Sequence, residues 1–411
     1  MKQTLLTFIL ILTFSFAYSQ ADPDKFREFA NRQDSLFVKA YESRDIAKFH
    51  TLLDEFKLEY NKLSADDQKR CSGYLNGAYY NLCCTYALTG NKDLALKYLK
   101  LATEAGYIDY MHMLEDSDLN SLRKEKAYAE IVEGVRKVGD YLYILKNDRG
   151  YNSQEKRDIP EFTYQSSEQP ELAALRKAFN LDSVAGKGTD VFQILNMLHW
   201  MHYMIPHDGN HDNPAVKNAM NMISVCKRDH RGLNCRGLAT VLNECYLSMG
   251  FKSRIVTCYP KDSLKIDPDC HVINMVWAES MQKWLWIDPT NDAYVMNEKG
   301  EILSIEEVRA RLISNQPLIL NPEANWNRYS TTKEFYLYQY MAKNLYIMES
   351  PVSSEYDMET RKEGKTYTYI KLIPLDYFKQ LPIVAEEKKQ ETKTTWVEYR
   401  TNNPEVFWQK P

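Results

Sequence analysis

The order of three side chains, Cys235 then His271 then Asp288, constrains this chain more than any other feature of its sequence. Cys235 lies in Gly232-Leu233-Asn234-Cys235-Arg236-Gly237, after which Leu238, Val241, Leu242, Cys245 and Met249 recur at helical spacing until Gly250. That spacing predicts a helix with Asn234 as N-cap and Gly250 as C-cap. Cys235 then falls in the first turn, where unpaired N–H groups and the positive end of the helix dipole favour thiolate over thiol. His271 opens the apolar run to Trp277, and Asp288 closes Lys283-Trp284-Leu285-Trp286-Ile287. Both runs read as strands, and the short polar loop between them predicts a hairpin. A turn centred between Glu279 and Ser280 sets His271 opposite Asp288. One centred between Ser280 and Met281 sets Thr290 opposite His271 and leaves Asp288 diagonal to it on the same face. In either register the imidazole and the carboxylate can meet.

A carboxylate that holds an imidazole facing a thiolate is the general constellation of orienter, base and nucleophile. Taken singly, each residue has a plainer reading: a buried cysteine, a satisfied strand histidine, a strand-end cap. Together, the Cys235 helix, His271-Val272-Ile273-Asn274 and Trp286-Ile287-Asp288-Pro289-Thr290 resemble the three core motifs of the transglutaminase-like superfamily, which is related in architecture to papain-type thiol proteases. The resemblance covers roughly Leu181 to Asn325. It implies an α+β fold with a papain/transglutaminase-like catalytic core, catalytic residues Cys235, His271 and Asp288, no cofactor and no metal ligand. The superfamily spans transglutaminases, peptidases, deamidases and members without chemistry, so the resemblance fixes the machinery better than the reaction. Cys270, beside His271, is the nearest competing thiol, and strand alternation points it to the opposite face. The backbone N–H of Cys235 is expected in an oxyanion hole, with the second donor left unassigned.

The 411 residues suggest two or three domains. Met1-Lys2, the apolar run Leu5 to Phe16 and Ala17-Tyr18-Ser19 read as a secretory signal peptide over residues 1–19, so a periplasmic or secreted protein is expected. No other stretch approaches the length of a membrane span. The formal net charge of −4 becomes −5 once Lys2 leaves with the signal, which disfavours nucleic acid and anionic membranes as partners. Eight cysteines survive processing, irregularly spaced and without a CxxC pair, so neither a small-domain disulfide scaffold nor structural zinc is expected. Export could oxidise some of them, in a connectivity that the sequence leaves open.

Residues 20–147 carry helical periodicity. Tyr79, Leu82, Cys83, Tyr86, Ala95, Leu99 and Ala102, with Gly90-Asn91 between them, resemble one tetratricopeptide repeat. The region reads as a packed helical prefix or, alternatively, as a groove for a protein partner. The polar stretch Lys146 to Gln169 marks a boundary, as a linker or an extended segment entering the next domain. Residues 148–325 form the expected catalytic domain, and 326–411 an aromatic-rich C-terminal extension whose aromatics build a core or stack on sugars and peptides. Helices are predicted over Pro170 to Asn180, Asp190 to Met204 and Asn218 to Lys227, and a capping box at Ser304 opens another. His199, His202, His207 and His211 gather at the end of the second of these and the loop after it, which reads as a metal site, a solvated turn at the rim of a cleft, or a contact with substrate. Two function classes follow. One is an exported thiol enzyme acting on a peptide or protein amide; the other is a peptide- or glycan-binding module that keeps the fold without the chemistry.

Overall fold

The computed structural model describes residues 22–261, 269–375 and 384–411. The expected signal segment, 1–19, lies outside them. Among the described residues no helix is long and apolar enough to cross a membrane. The chain forms two compact units that divide between Asp140 and Tyr141, and helices combine with one large, mostly antiparallel sheet in an α+β fold.

The first unit is helical, with its longest elements at Pro23–Glu42, Ile46–Tyr60, Ser72–Leu88, Lys92–Glu104 and Lys126–Gly139. The predicted hairpin around Gly90-Asn91 is present. Gly90 turns the chain at φ +84°, a left-handed conformation that a side chain would strain, and the Asn91 side chain then caps the next helix by accepting from Leu94 N at 3.2 Å. Cys83, Ala95 and Ala102 are fully buried where the two helices pack, because small residues let helix backbones approach. Phe26, Phe37, Phe49 and Phe56 extend that core, and every buried member of it lies between residues 26 and 135.

The second unit is built on seven strands in the order Val384–Lys389, Thr394–Thr401, Thr366–Leu372, Ile347–Pro351, Ser253–Tyr259, His271–Ala278 and Lys283–Ile287. All neighbours are antiparallel except Thr366–Leu372 beside Thr394–Thr401. The aromatic-rich residues after 326, set apart by composition, thus share one sheet with the predicted hairpin. Tyr336, Leu337, Tyr346 and Phe407 pack with Met275 and Trp286 in a single core. The polar stretch before Gln169 is an extended segment, bonded to residues far along the chain. Asn152 N donates to Asn402 O at 2.8 Å, and Gly150 O accepts from Leu375 N at 2.9 Å. Backbone groups that no helix satisfies find partners on those distant residues.

In the hairpin Asn274 pairs with Ile287 and Met275 with Trp286. That is the register centred between Ser280 and Met281, in which Asp288 lies diagonal to His271 on the same face. Val272 and Asn274, on the other face, meet the Cys235–Ser248 helix: Val272 clusters with Ala239, and Asn274 Nδ2 donates to Ala239 O at 2.9 Å. Because the first unit's core draws on no residue beyond 135, a chain ended at Asp140 is expected to unfold in one cooperative thermal transition followed by circular dichroism. A gradual, featureless melt would contradict its independence.

Candidate active site

Cys235 is the first residue of its helix, and Asn234, at φ −73° and ψ 174°, is the N-cap whose side chain accepts from Gly237 N at 3.1 Å. The N–H of a first helical residue has no intrahelical acceptor, so the thiol sits over unpaired donors and the positive end of the helix. The helix closes at Gly250, whose φ of +87° makes it the left-handed residue beyond the last turn.

His271 is the first residue of its strand, and its ring is 1% exposed. Its Nε2 lies 2.8 Å from Asp288 Oδ2. Asp288, completely buried, collects further donors: Tyr336 Oη at 2.6 Å and Asn291 Nδ2 at 3.0 Å on Oδ2, and the backbone N–H groups of Thr290 at 2.9 Å and Asn291 at 3.3 Å on Oδ1. Burial would raise this carboxyl, but the His271 charge and these hydrogen bonds hold it below the usual range. Asp288 therefore accepts and His271 Nε2 donates, which leaves Nδ1 as the nitrogen that exchanges a proton. Tyr340 Oη is 3.3 Å from that Nδ1.

The electrostatics carry this arrangement to the thiol. Burial pushes Cys235 up, but hydrogen bonds from His207 and His271, the His271 charge and the Val272 N–H bring it down to about 6. Burial pushes His271 down, yet the Asp288 charge and hydrogen bond, followed by Cys235, raise it to about 10. Between those values the pair is thiolate and imidazolium. All eight cysteines are free thiols. Burial raises Cys83, Cys84, Cys226, Cys245 and Cys258, and Cys270 is pushed up to about 11, chiefly by burial and then by the Cys235 charge.

The four histidines near the Asp190–Met204 helix do not gather. His199 Nδ1 meets Asp292 Oδ2 at 2.7 Å, both ring nitrogens of buried His202 face oxygens of Pro289 and Asn325, and His211 Nδ1 meets Asp208 Oδ2 at 2.7 Å. Only His207 reaches the thiol. The loop that carries it lies against the start of the Cys235 helix. Leu233 N donates to Pro206 O at 3.2 Å, Asp208 N to Leu233 O at 2.7 Å, and Asn213 Nδ2 to Asn234 Oδ1 at 2.7 Å. Two glycines permit that approach: a Cβ on Gly232 would stand 2.5 Å from Pro206 O, and one on Gly237 would stand 2.6 Å from Asn213 Oδ1.

A cavity of about 360 Å³ adjoins these groups, lined by His207, Asn291, Trp326, Phe335 and Tyr340 among others. Trp326, Tyr329 and Phe335 are exposed there. Composition alone sets these aromatics, and Tyr336, in an extension apart from the site, and the sequence holds no local signal that would fold them back onto Asp288. Asn291, three residues past Asp288, is the one missed partner within reach of a local pattern.

No family model matches this chain, and no curated protein matches it either. Among solved structures it is similar to one from Cytophaga hutchinsonii described as a "Putative Cysteine Protease", at 19% identity and a TM-score of 0.24 over 31% of this chain. The chain spans 40% of the length of that structure.

Iodoacetamide at mildly acidic pH is expected to label Cys235 before any other cysteine, with a rate that falls as pH drops through about 6. Mass mapping of the alkylated peptides reads it, and preferential labelling of another cysteine would contradict the geometry. Gly232→Ala is expected to cost about 1–3 kcal/mol, since the methyl meets backbone rather than a movable side chain. An unchanged denaturant midpoint would show that the loop can retreat.

Proposed function

We propose that the chain is an exported thiol enzyme acting on an amide, of the transglutaminase-like kind that its three motifs resemble, with a papain-like core. The observation that carries the reading is the buried His271–Asp288 pair, 2.8 Å apart, in the same unit as a thiol at the start of a helix that His271 helps to hold below its ordinary range. A module that only bound peptides or glycans would have no use for a thiolate, nor for a carboxylate buried among so many donors. The leader at residues 1–19 supports export.

In this reading Cys235 Sγ attacks the carbonyl carbon of the amide, and the carbonyl π pair moves to oxygen. His271 Nδ1 carries the proton taken from the thiol and gives it to the leaving amine as the C–N bond breaks. Water or a second amine then attacks the thioester, loses its proton to Nδ1, and releases the thiolate. Asp288 fixes the Nε2–H tautomer and stabilises the imidazolium. Aromatic walls beside His207 and Tyr340 suit an uncharged group with flat apolar faces next to the scissile bond.

Peptide and glutamine amides, offered with and without an amine acceptor, test the reading. Cys235→Ala is expected to abolish turnover while keeping the fold. Asp288→Asn is expected to lower kcat by about 10⁴, because an amide cannot hold the same tautomer. Turnover that survives Cys235→Ala would remove the thiol mechanism, and a wild type inert to every amide would favour the binding module.

A further inference from the structure

We propose that Arg361, together with Arg236, forms a carboxylate-binding subsite beside the nucleophile, so that the substrate carries a carboxylate near its scissile amide; the inference takes its substrate from the thiol reading above. Arg236 follows Cys235 in the chain, and its guanidinium donates from Nη1 to Glu359 Oε1 at 3.3 Å and from Nη2 to Thr257 Oγ1 at 2.7 Å. Arg361 reaches the other oxygen of the same carboxylate, with Nη2 3.6 Å from Oε2. The Glu359 side chain is 1% exposed, whereas those of Arg236 and Arg361 keep 26% and 19%. A buried carboxylate thus faces two cations that a ligand can still reach.

Charges taken out of water are stable when they are matched, and here two guanidiniums share one carboxylate. The carboxylates further along the sheet are already engaged: Glu349 lies 3.0 Å from Lys371 Nζ, and Glu398 pairs with Lys371 and Arg400. Among the described residues Arg361 Nη1 is buried without a hydrogen-bond partner, and so is the hydroxyl of Tyr369, a residue 3% exposed. The two belong to one group. The Arg361 guanidinium sits 4.2 Å from the centre of the Trp396 ring, and the Tyr369 ring stacks on that same ring at 5.1 Å. Open donors beside an unmatched positive charge suit a carboxylate, whose two oxygens fit the fork of a guanidinium.

The segment that carries Glu359 is fastened to the nucleophile's helix. Asp357 N donates to Glu244 Oε1 at 2.9 Å, and Glu244 belongs to the Cys235–Ser248 helix. Met358 packs in the cluster of Ala239, Ile255 and Val272 on which Cys235 also rests. Lys217 N donates to Thr360 Oγ1 at 2.7 Å, which ties the next turn of the segment down as well. The guanidinium pair and the sulfur therefore share one scaffold. Neither arginine lines the aromatic cavity, so the two places read different parts of a substrate, an apolar group at one and an anionic group at the other.

Three peptides test the inference by equilibrium binding to the full chain carrying Cys235→Ala, in which the thiol chemistry is absent. They are acetyl-Ala-Gln-Ala amide, its counterpart with Glu in place of Gln, and acetyl-Ala-Gln-Ala with a free terminal carboxylate. At low salt an anionic peptide is expected to bind about tenfold tighter than the neutral one, and which of the two gains says whether a side chain or a chain end supplies the carboxylate. Arg361→Gln is expected to remove that advantage, and Arg361→Lys to keep part of it. Should Arg361→Gln fail to fold, salt decides: the advantage is expected to shrink as ionic strength rises. Three equal Kd values, a failure of all three to bind, an advantage that survives Arg361→Gln or one indifferent to salt overturns the inference and leaves the thiol reading standing. A carboxylate preference in a chain whose wild type turns over no amide removes the thiol reading and keeps the subsite.

Discussion

The arrangement around Cys235 depends on one interaction, the 2.8 Å contact between His271 and Asp288, both of them buried. A buried carboxylate is costly unless charge and hydrogen bonds replace its hydration. Asp288 has both: the imidazolium on one side, and donors from Tyr336, Asn291 and Thr290 around the rest. With the carboxylate held charged, His271 keeps its second proton across the physiological range. The thiolate is then stabilised by a neighbouring cation as well as by its helix. Removing the carboxylate charge would take from His271 the partner that favours its imidazolium, and from the thiolate the help of that cation.

What the sequence disclosed was local. The helix at Cys235 followed from spacing, an N-cap and a C-cap glycine in one short stretch, and the hairpin from two apolar runs and a polar loop. Register arithmetic narrowed the pairing to two choices, and the structure adopts the one that leaves Asp288 diagonal to His271. The parts that stayed hidden are long-range. Tyr336 comes to Asp288 across 48 positions, and Trp326 to His207 across 119. Composition marked both only as members of an aromatic-rich stretch, because stacking against a sheet and lining a cleft use the same residue types. Likewise, the polar stretch before Gln169 looks the same in sequence whether it hangs free or bonds to residues far along the chain, since backbone pairing leaves little imprint on side chains.

The four histidines show how clustering in sequence differs from clustering in space. Helix phase and loop turns send His199 to a carboxylate, His202 into the core and His211 to the loop's own Asp208. Only the His207 part of the loop lies against the start of the Cys235 helix, where Gly232 lets the two backbones approach. Three segments far apart in the chain thus converge near one thiol: the helix that carries it, the hairpin that carries His271, and the histidine loop braced by an aromatic from the C-terminal part.

The central claim is that Cys235 and His271 form an ion pair held by Asp288, and a paired titration tests it most directly. The ultraviolet absorbance of the Cys235 thiolate, taken as the difference between wild type and Cys235→Ala, would be followed with pH beside the imidazole carbon resonance of His271. The account predicts that the thiolate appears near pH 6 while His271 stays charged until about pH 10. An imidazole that loses its charge near its ordinary value, with the thiol ionising only near 9, would contradict it.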